Sequence, residues 1–164
     1  MNTALSSSGF SRVSSSSAAK AFTLVELMVV VAIISLLAVI AVPAYAKVRG
    51  SSQNAAFIAE LRTARGAFIQ YCMEHGKYPP DVTPGIVPDG MSEYFGRFNW
   101  AAPTPIGGQW DWDYRQFGCV AGVSVYQPAV SPEQMKQIDK TIDDGDLNTG
   151  TFQARSSGYI FVIE

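Results

Sequence analysis

The sequence predicts an α+β fold, a long N-terminal helix laid on a small antiparallel sheet of about three strands. Three observations carry this: an apolar run free of charge over residues 27–46, an apolar stripe at helical spacing over 57–75, and short alternating runs confined to the last third of the chain. A helical half followed by a stranded half segregates the two element types, which is the α+β pattern.

The run "LMVVVAIISLLAVIAVPAYA" holds 20 residues without a charge. At about 1.5 Å per residue a helix of that length spans about 30 Å, the thickness of a bilayer's hydrocarbon core. A soluble core helix apolar on every side would need more covering chain than remains, so a membrane segment is expected. A cleaved secretory signal is the competing reading, because Ala44, Tyr45 and Ala46 form a small-x-small site. The run is longer than such signals, carries Glu26 at its front edge, and continues as helical sequence beyond Pro43. Pro43 lacks an N–H and clashes with the preceding turn, so a kink or local melting is expected there. Glu26 is the anomaly: an ionised carboxylate in lipid costs several kcal/mol unless it is neutralised or paired.

The 164-residue length suits one domain plus an appendage. The serine-rich stretch of residues 1–21 has no period that could fold it and holds two cations, Arg12 and Lys20, with no acid. The remaining residues carry 10 cations against 14 acids, so no basic face for nucleic acid is expected. Two cysteines, Cys72 and Cys119, are too few for a disulfide scaffold and are spaced unlike a zinc ribbon. His75 lies three residues beyond Cys72, but no further ligand or orienting acid accompanies the pair, and the chain is read as not an enzyme.

The stretch "KAFTLVELMVVVAIISLLAVIAVPAYAKVR" resembles the N-terminal cleavage and methylation segment of type IV pilins and type II secretion pseudopilins. The resemblance implies a pilin-like fold and a cytoplasmic leader, residues 1–21. A prepilin peptidase/methyltransferase would cut it between Ala21 and Phe22 and methylate Phe22. The residue before the cut is most often glycine in that family and is alanine here. The resemblance further implies that residues 22–46 form the transmembrane and assembly helix. In it Glu26 meets the terminal amine of a neighbouring subunit, and Pro43 marks flexibility during assembly. Implied partners are copies of itself, other pseudopilins and an inner-membrane assembly platform. Residues 47–164 then form a periplasmic domain on a single-pass inner-membrane anchor.

Within that domain, Phe57, Leu61, Ala64, Phe68, Tyr71 and His75 are spaced by three and four, an amphipathic continuation of one helix over 22–75. "HGKYPPD" resembles the turn that closes this helix in type II pseudopilins, with Gly76 as stop signal. Residues 76–108 read as an irregular connector packed by Tyr94, Phe95, Phe98 and Trp100. "GGQWDWDYRQFGCVAGVSVYQP" alternates as two strands joined near residues 116–118, with Trp110, Trp112 and Tyr114 on one face and Asp111, Asp113 and Arg115 on the other. A helix over 131–143 is opened by Ser131 and Pro132, and "GYIFVIE" closes the chain as a strand.

Three sets of residues are candidate sites. Asp143, Asp144, Asp146 and Asn148 group oxygen ligands at the close spacing calcium favours, or else form the polar turn ending the helix; no other cofactor is indicated. Cys72 and Cys119 both read as core-facing, as a disulfide in an oxidising periplasm or as two buried thiols. Trp100, Trp110, Trp112 and Tyr114 form either a sugar-stacking platform or core. The resulting reading is a structural subunit of a type II secretion pseudopilus. A type IV pilus pilin, major or minor, is the first alternative, and a secreted or tethered carbohydrate-binding module is the second.

Overall fold

The computed structural model describes residues 22–164, so the leader, Ala21 included, lies outside the described residues. The elements in chain order are α1 (Leu24–His75), β1 (Gln109–Tyr114), β2 (Ala121–Tyr126), α2 (Pro132–Ile142), β3 (Phe152–Arg155) and β4 (Gly158–Val162). They divide into two compact units that meet in the chain between Val42 and Pro43.

In the first unit α1 is apolar all round and its large side chains, from Leu24 to Val42, are exposed. Its mean hydropathy reaches 3.0 over 18 residues, long and apolar enough to cross a membrane. The polar Ser35 is satisfied inside the helix, its Oγ donating to the Val31 carbonyl at 2.7 Å. The melting anticipated at Pro43 does not occur, since α1 stays wound through it. The proline removes one donor, and the remaining helical bonds carry the turn.

The second unit is built on the later turns of α1. There the stripe narrows to one face, burying Phe57, Ile58, Leu61, Ala64, Ala67 and Phe68, while His75, assigned to the same stripe, is exposed. Phe57 stacks on Trp110 at 5.2 Å and Phe68 on Trp112 at 3.7 Å, with interplanar angles of 2° and 5°. Aromatic pairs of this kind add about 0.5–1.5 kcal/mol each beyond the area they bury. α1 ends where Gly76, at φ 70°, turns left-handed and its N–H reaches the Cys72 carbonyl at 2.8 Å. The connector that follows is built of turns, as its proline and glycine content suggests. It still fills the core: Phe95 stacks on Trp100 at 5.2 Å, and Trp100 meets Phe68 edge-on. The Trp100 and Trp112 indole N–H groups donate to the Ile86 and Pro79 carbonyls, tying the connector to the core.

The sheet has four antiparallel strands, order β1-β2-β4-β3, where three were expected. The extra strand, β3, is four residues long and pairs with β4 across a two-residue turn at 156–157. Its serines lack the Asn-Gly or Asp-Gly signature that marks a tight hairpin in sequence. The N-terminus of α2 follows expectation, with the Ser131 hydroxyl accepting from the Gln134 N–H. The Gln134 side chain does not return to the cap but donates to Asn54 of α1 at 2.8 Å.

The far face of β1 departs from a solvated strand face. Asp111 and Asp113 are each only 4% exposed, because Arg155 at the end of β3 lies over them. Its guanidinium reaches Asp111 at 2.5 Å and Asp113 at 3.7 Å, while the Phe117 ring lies 4.7 Å from it. The Ser124 hydroxyl donates to Asp113. Arg115, expected beside these acids, leaves the strand at φ 58° and lies over Tyr114 instead.

Burial, and then the Asp113 charge, lifts the Asp111 pKa to about 6 against the pull of Arg155. Because the folded value lies above the unfolded one, this carboxyl contributes stability fully below about pH 4, and that contribution is lost as pH rises through about 6. In detergent, the urea-unfolding free energy of the full chain is expected to fall with pH over this window. Asp111→Asn should flatten the fall by roughly 2 kcal/mol; an unchanged slope refutes the assignment.

Candidate functional site

At the start of α1 Phe22 is 83% exposed, and the next residue, Thr23, caps the helix. The Glu26 N–H donates to the Thr23 hydroxyl at 3.2 Å, and the Thr23 N–H and hydroxyl donate to Glu26 Oε2 at 2.9 and 2.8 Å. This reciprocal pair is a capping box, and its signal was present in sequence as Thr-x-x-Glu directly before the apolar run. The carboxylate thereby satisfies an orphan backbone donor at the end of the helix where negative charge is favoured. Every bond it accepts falls on Oε2, so Oε1 keeps its lone pairs for a further partner. Thus Glu26 has an intrachain role that the sequence reading assigned wholly to a neighbour.

A second polar constellation follows α2. Asp143 caps that helix, its N–H donating to the Asp139 carbonyl at 2.6 Å. Its Oδ2 accepts from the backbone N–H groups of Thr151 and Phe152, joining the end of α2 to the start of β3. Those bonds hold the Asp143 carboxyl below its ordinary pKa. Asp144 accepts from the Asp146 N–H and the Thr149 hydroxyl, and Asp146 accepts from the Asn148 backbone and side-chain N–H groups. Leu147 is buried in the middle of this turn. The four residues predicted to hold calcium therefore do not converge: Asp146 and Asn148 bond each other, whereas Asp143 and Asp144 lie beside Asp139. Asp139 belongs to the buried face of α2 and went unnoticed in the sequence, where an acid between Ile138 and Lys140 reads as a solvated position. Burial first, then the Asp144 and Asp143 charges, push its carboxyl upward.

Residues 16–42 match the prokaryotic N-terminal methylation motif. The segment is that of the type IV pilin family. The chain is also similar to type IV major pilin protein PilE1 of Neisseria gonorrhoeae, 35% identical over 79 residues that make up 48% of each chain. PilE of the same organism is 37% identical over 73 residues, 44% of each chain. The matches thus span about half the length of these pilins. No solved structure matches.

Two expectations are corrected by the structure. Both cysteines are free and half-buried: Cys72 lies beside the Tyr78 hydroxyl, and Cys119 sits in the β1–β2 turn, where its thiol donates to the Gln116 carbonyl. They belong to different elements with different local partners, so neither the disulfide nor the pair of buried thiols forms. Nor do the tryptophans form a sugar platform, since Trp100, Trp110 and Trp112 are at most 1% exposed and stack within the core.

Gly150, at φ 75°, lets the turn close onto Asp143; a Cβ there would collide with the Asp143 carboxylate. Gly150→Ala is expected to cost about 1–3 kcal/mol in chemical unfolding of the full chain, through backbone strain and displacement of that carboxylate. A cost below about 0.5 kcal/mol would show that the turn tolerates displacement.

Proposed function

We propose that this chain is the structural subunit of a filament of the type IV pilus class. It is held in the inner membrane by the apolar half of α1 and polymerised after removal of residues 1–21 between Ala21 and Phe22. The observation that carries this reading is the methylation motif at 16–42 on a helix whose apolar side chains are exposed on every side. Such a helix needs either lipid or the matching helices of other subunits around it. The similarity to gonococcal major pilins favours the pilus. A type II secretion pseudopilus is the second reading, favoured by the Gly76-Lys77-Tyr78-Pro79 turn, in which Tyr78 lies against Trp112 and Pro79 accepts its indole N–H. The burial of all three tryptophans sets aside the carbohydrate-binding reading. The work of the chain is assembly and not catalysis. Its partners are copies of itself, related subunits, the processing peptidase and methyltransferase, and the assembly platform.

The exposed Phe22 acquires a cationic amine once the leader is removed, and an anionic partner lowers the cost of carrying that charge into an apolar filament core. Glu26 has a free oxygen for the amine of the adjacent subunit. Because glutamine also closes a capping box, Glu26→Gln separates the two roles of this side chain. The mature protein is expected to begin at methylated Phe22 by mass spectrometry. Both Glu26→Gln and Glu26→Ala should insert in the membrane yet lower filament yield at least about tenfold, the loss of a charge pair worth more than about 1.4 kcal/mol. Normal assembly of Glu26→Gln would reduce Glu26 to a cap, and an N-terminus other than Phe22 would overturn the processing.

A further inference from the structure

Given the membrane reading of α1, on which this rests, we propose that the groove between α1 and the start of α2 binds the headgroup of a zwitterionic phospholipid with a primary ammonium. The groove measures about 550 Å3 and runs from Ala46 and Lys47 on α1 to Glu133 and Gln137 on α2. Small-ligand sites occupy about 300–1,000 Å3. Ala46 is the last residue of the charge-free run, whose 20 residues match about 30 Å of hydrocarbon. Lys47, the next residue, therefore stands at headgroup depth, and Tyr45, 70% exposed, is of the aromatic type that favours the same level.

The two walls of the groove carry opposite charges. Lys47 lines the α1 side and Glu133 the first turn of α2, both are exposed, and among the described residues neither belongs to an ion pair. A headgroup holding a phosphate and an ammonium complements both walls at once. The Lys47 ammonium donates to the phosphate oxygens, and the Glu133 carboxylate accepts from the N–H groups of the lipid. A choline headgroup has no N–H to donate, and an anionic glycerol headgroup sets a like charge beside Glu133. Gly50 keeps the space between the walls open, since a Cβ there would reach to 4.0 Å from the Gln134 side chain. Gln134 in turn donates to Asn54 at 2.8 Å, and both line the groove, so this bond ties its two walls together. The acyl chains of a lipid held by its head in this groove extend into the layer that the apolar run crosses.

The full chain in detergent, mixed with equimolar phosphatidylethanolamine, phosphatidylcholine and phosphatidylglycerol, tests this by native mass spectrometry. Phosphatidylethanolamine is expected to be retained over either other lipid by at least about threefold, within reach of an exposed charge pair. Glu133→Gln should remove that preference, and Lys47→Gln should lower retention of all three lipids, which share the phosphate. Gly50→Leu fills the groove with a residue that suits a helix and should abolish the preference, whereas Lys136→Gln, outside the groove lining, should leave it intact. Equal retention of the three lipids, or a preference untouched by Glu133→Gln and Gly50→Leu, would overturn the site. So would preferential retention of phosphatidylglycerol, which would mark a simple cationic contact, or a dimer lost in Gly50→Leu without lipid selectivity, which would assign the groove to a second copy of the chain. Flotation of the same chain with phosphatidylcholine vesicles judges the membrane reading separately: a chain that selects its lipid in detergent yet fails to float would keep the site and lose the anchor.

Discussion

The stacks of Phe57 on Trp110 and Phe68 on Trp112 couple α1 to the sheet, and the other contacts of the second unit are arranged around them. Phe57 and Phe68 are 11 residues apart, close to three helical turns, while Trp110 and Trp112 are separated by one pleat and share a sheet face. Helical and strand periodicities therefore meet at two points, which defines the crossing of helix over sheet. The connector completes the enclosure by bringing Phe95 and Trp100 to the same rings, with its carbonyls receiving the indole donors. An irregular segment can be held this way because its side chains are apolar and its backbone groups find partners.

One helix thus serves two solvents. Up to Val42 its surface is apolar all round, and beyond Asn54 only one stripe is. The change accords with a first half whose apolar surface suits lipid and a second half that covers the sheet with one face. The demands on Glu26 sharpen this division. Its charge is tolerable at the front of an apolar helix because the capping box and the helix dipole favour it there, before any neighbour is considered.

Two acidic groupings show how differently like charges can be housed. Asp111 and Asp113 are buried under a guanidinium supplied by β3, 44 residues further along the chain, so their repulsion is offset within the fold. Among the described residues, Asp139, Asp143 and Asp144 come together without an ion-paired cation. Asp143 finds backbone donors in Thr151 and in Phe152, the first residue of β3. The balance at the first cluster depends on protonation, and at the second on whatever neutralises Asp139.

Local periodicity and capping chemistry made much of this protein legible: the apolar run, the stripe through Phe68, the Ser131 cap of α2 and the alternation of β1 all follow from residues a few positions apart. The motif around Phe22 and Glu26 was equally readable, being a continuous string. Contacts between distant segments decided the rest. β3 is too short to announce itself without β4 beside it, Asp111 and Asp113 read as solvated until Arg155 is placed over them, and Cys72 and Cys119 have no spacing that says whether they meet. Asp139 is the extreme case, because its burial depends on how α2 packs and its neighbours on how the chain turns after Ile142. Sequence carries the periods of its elements, whereas the charge environment of a side chain is set by whichever remote segment the fold lays against it.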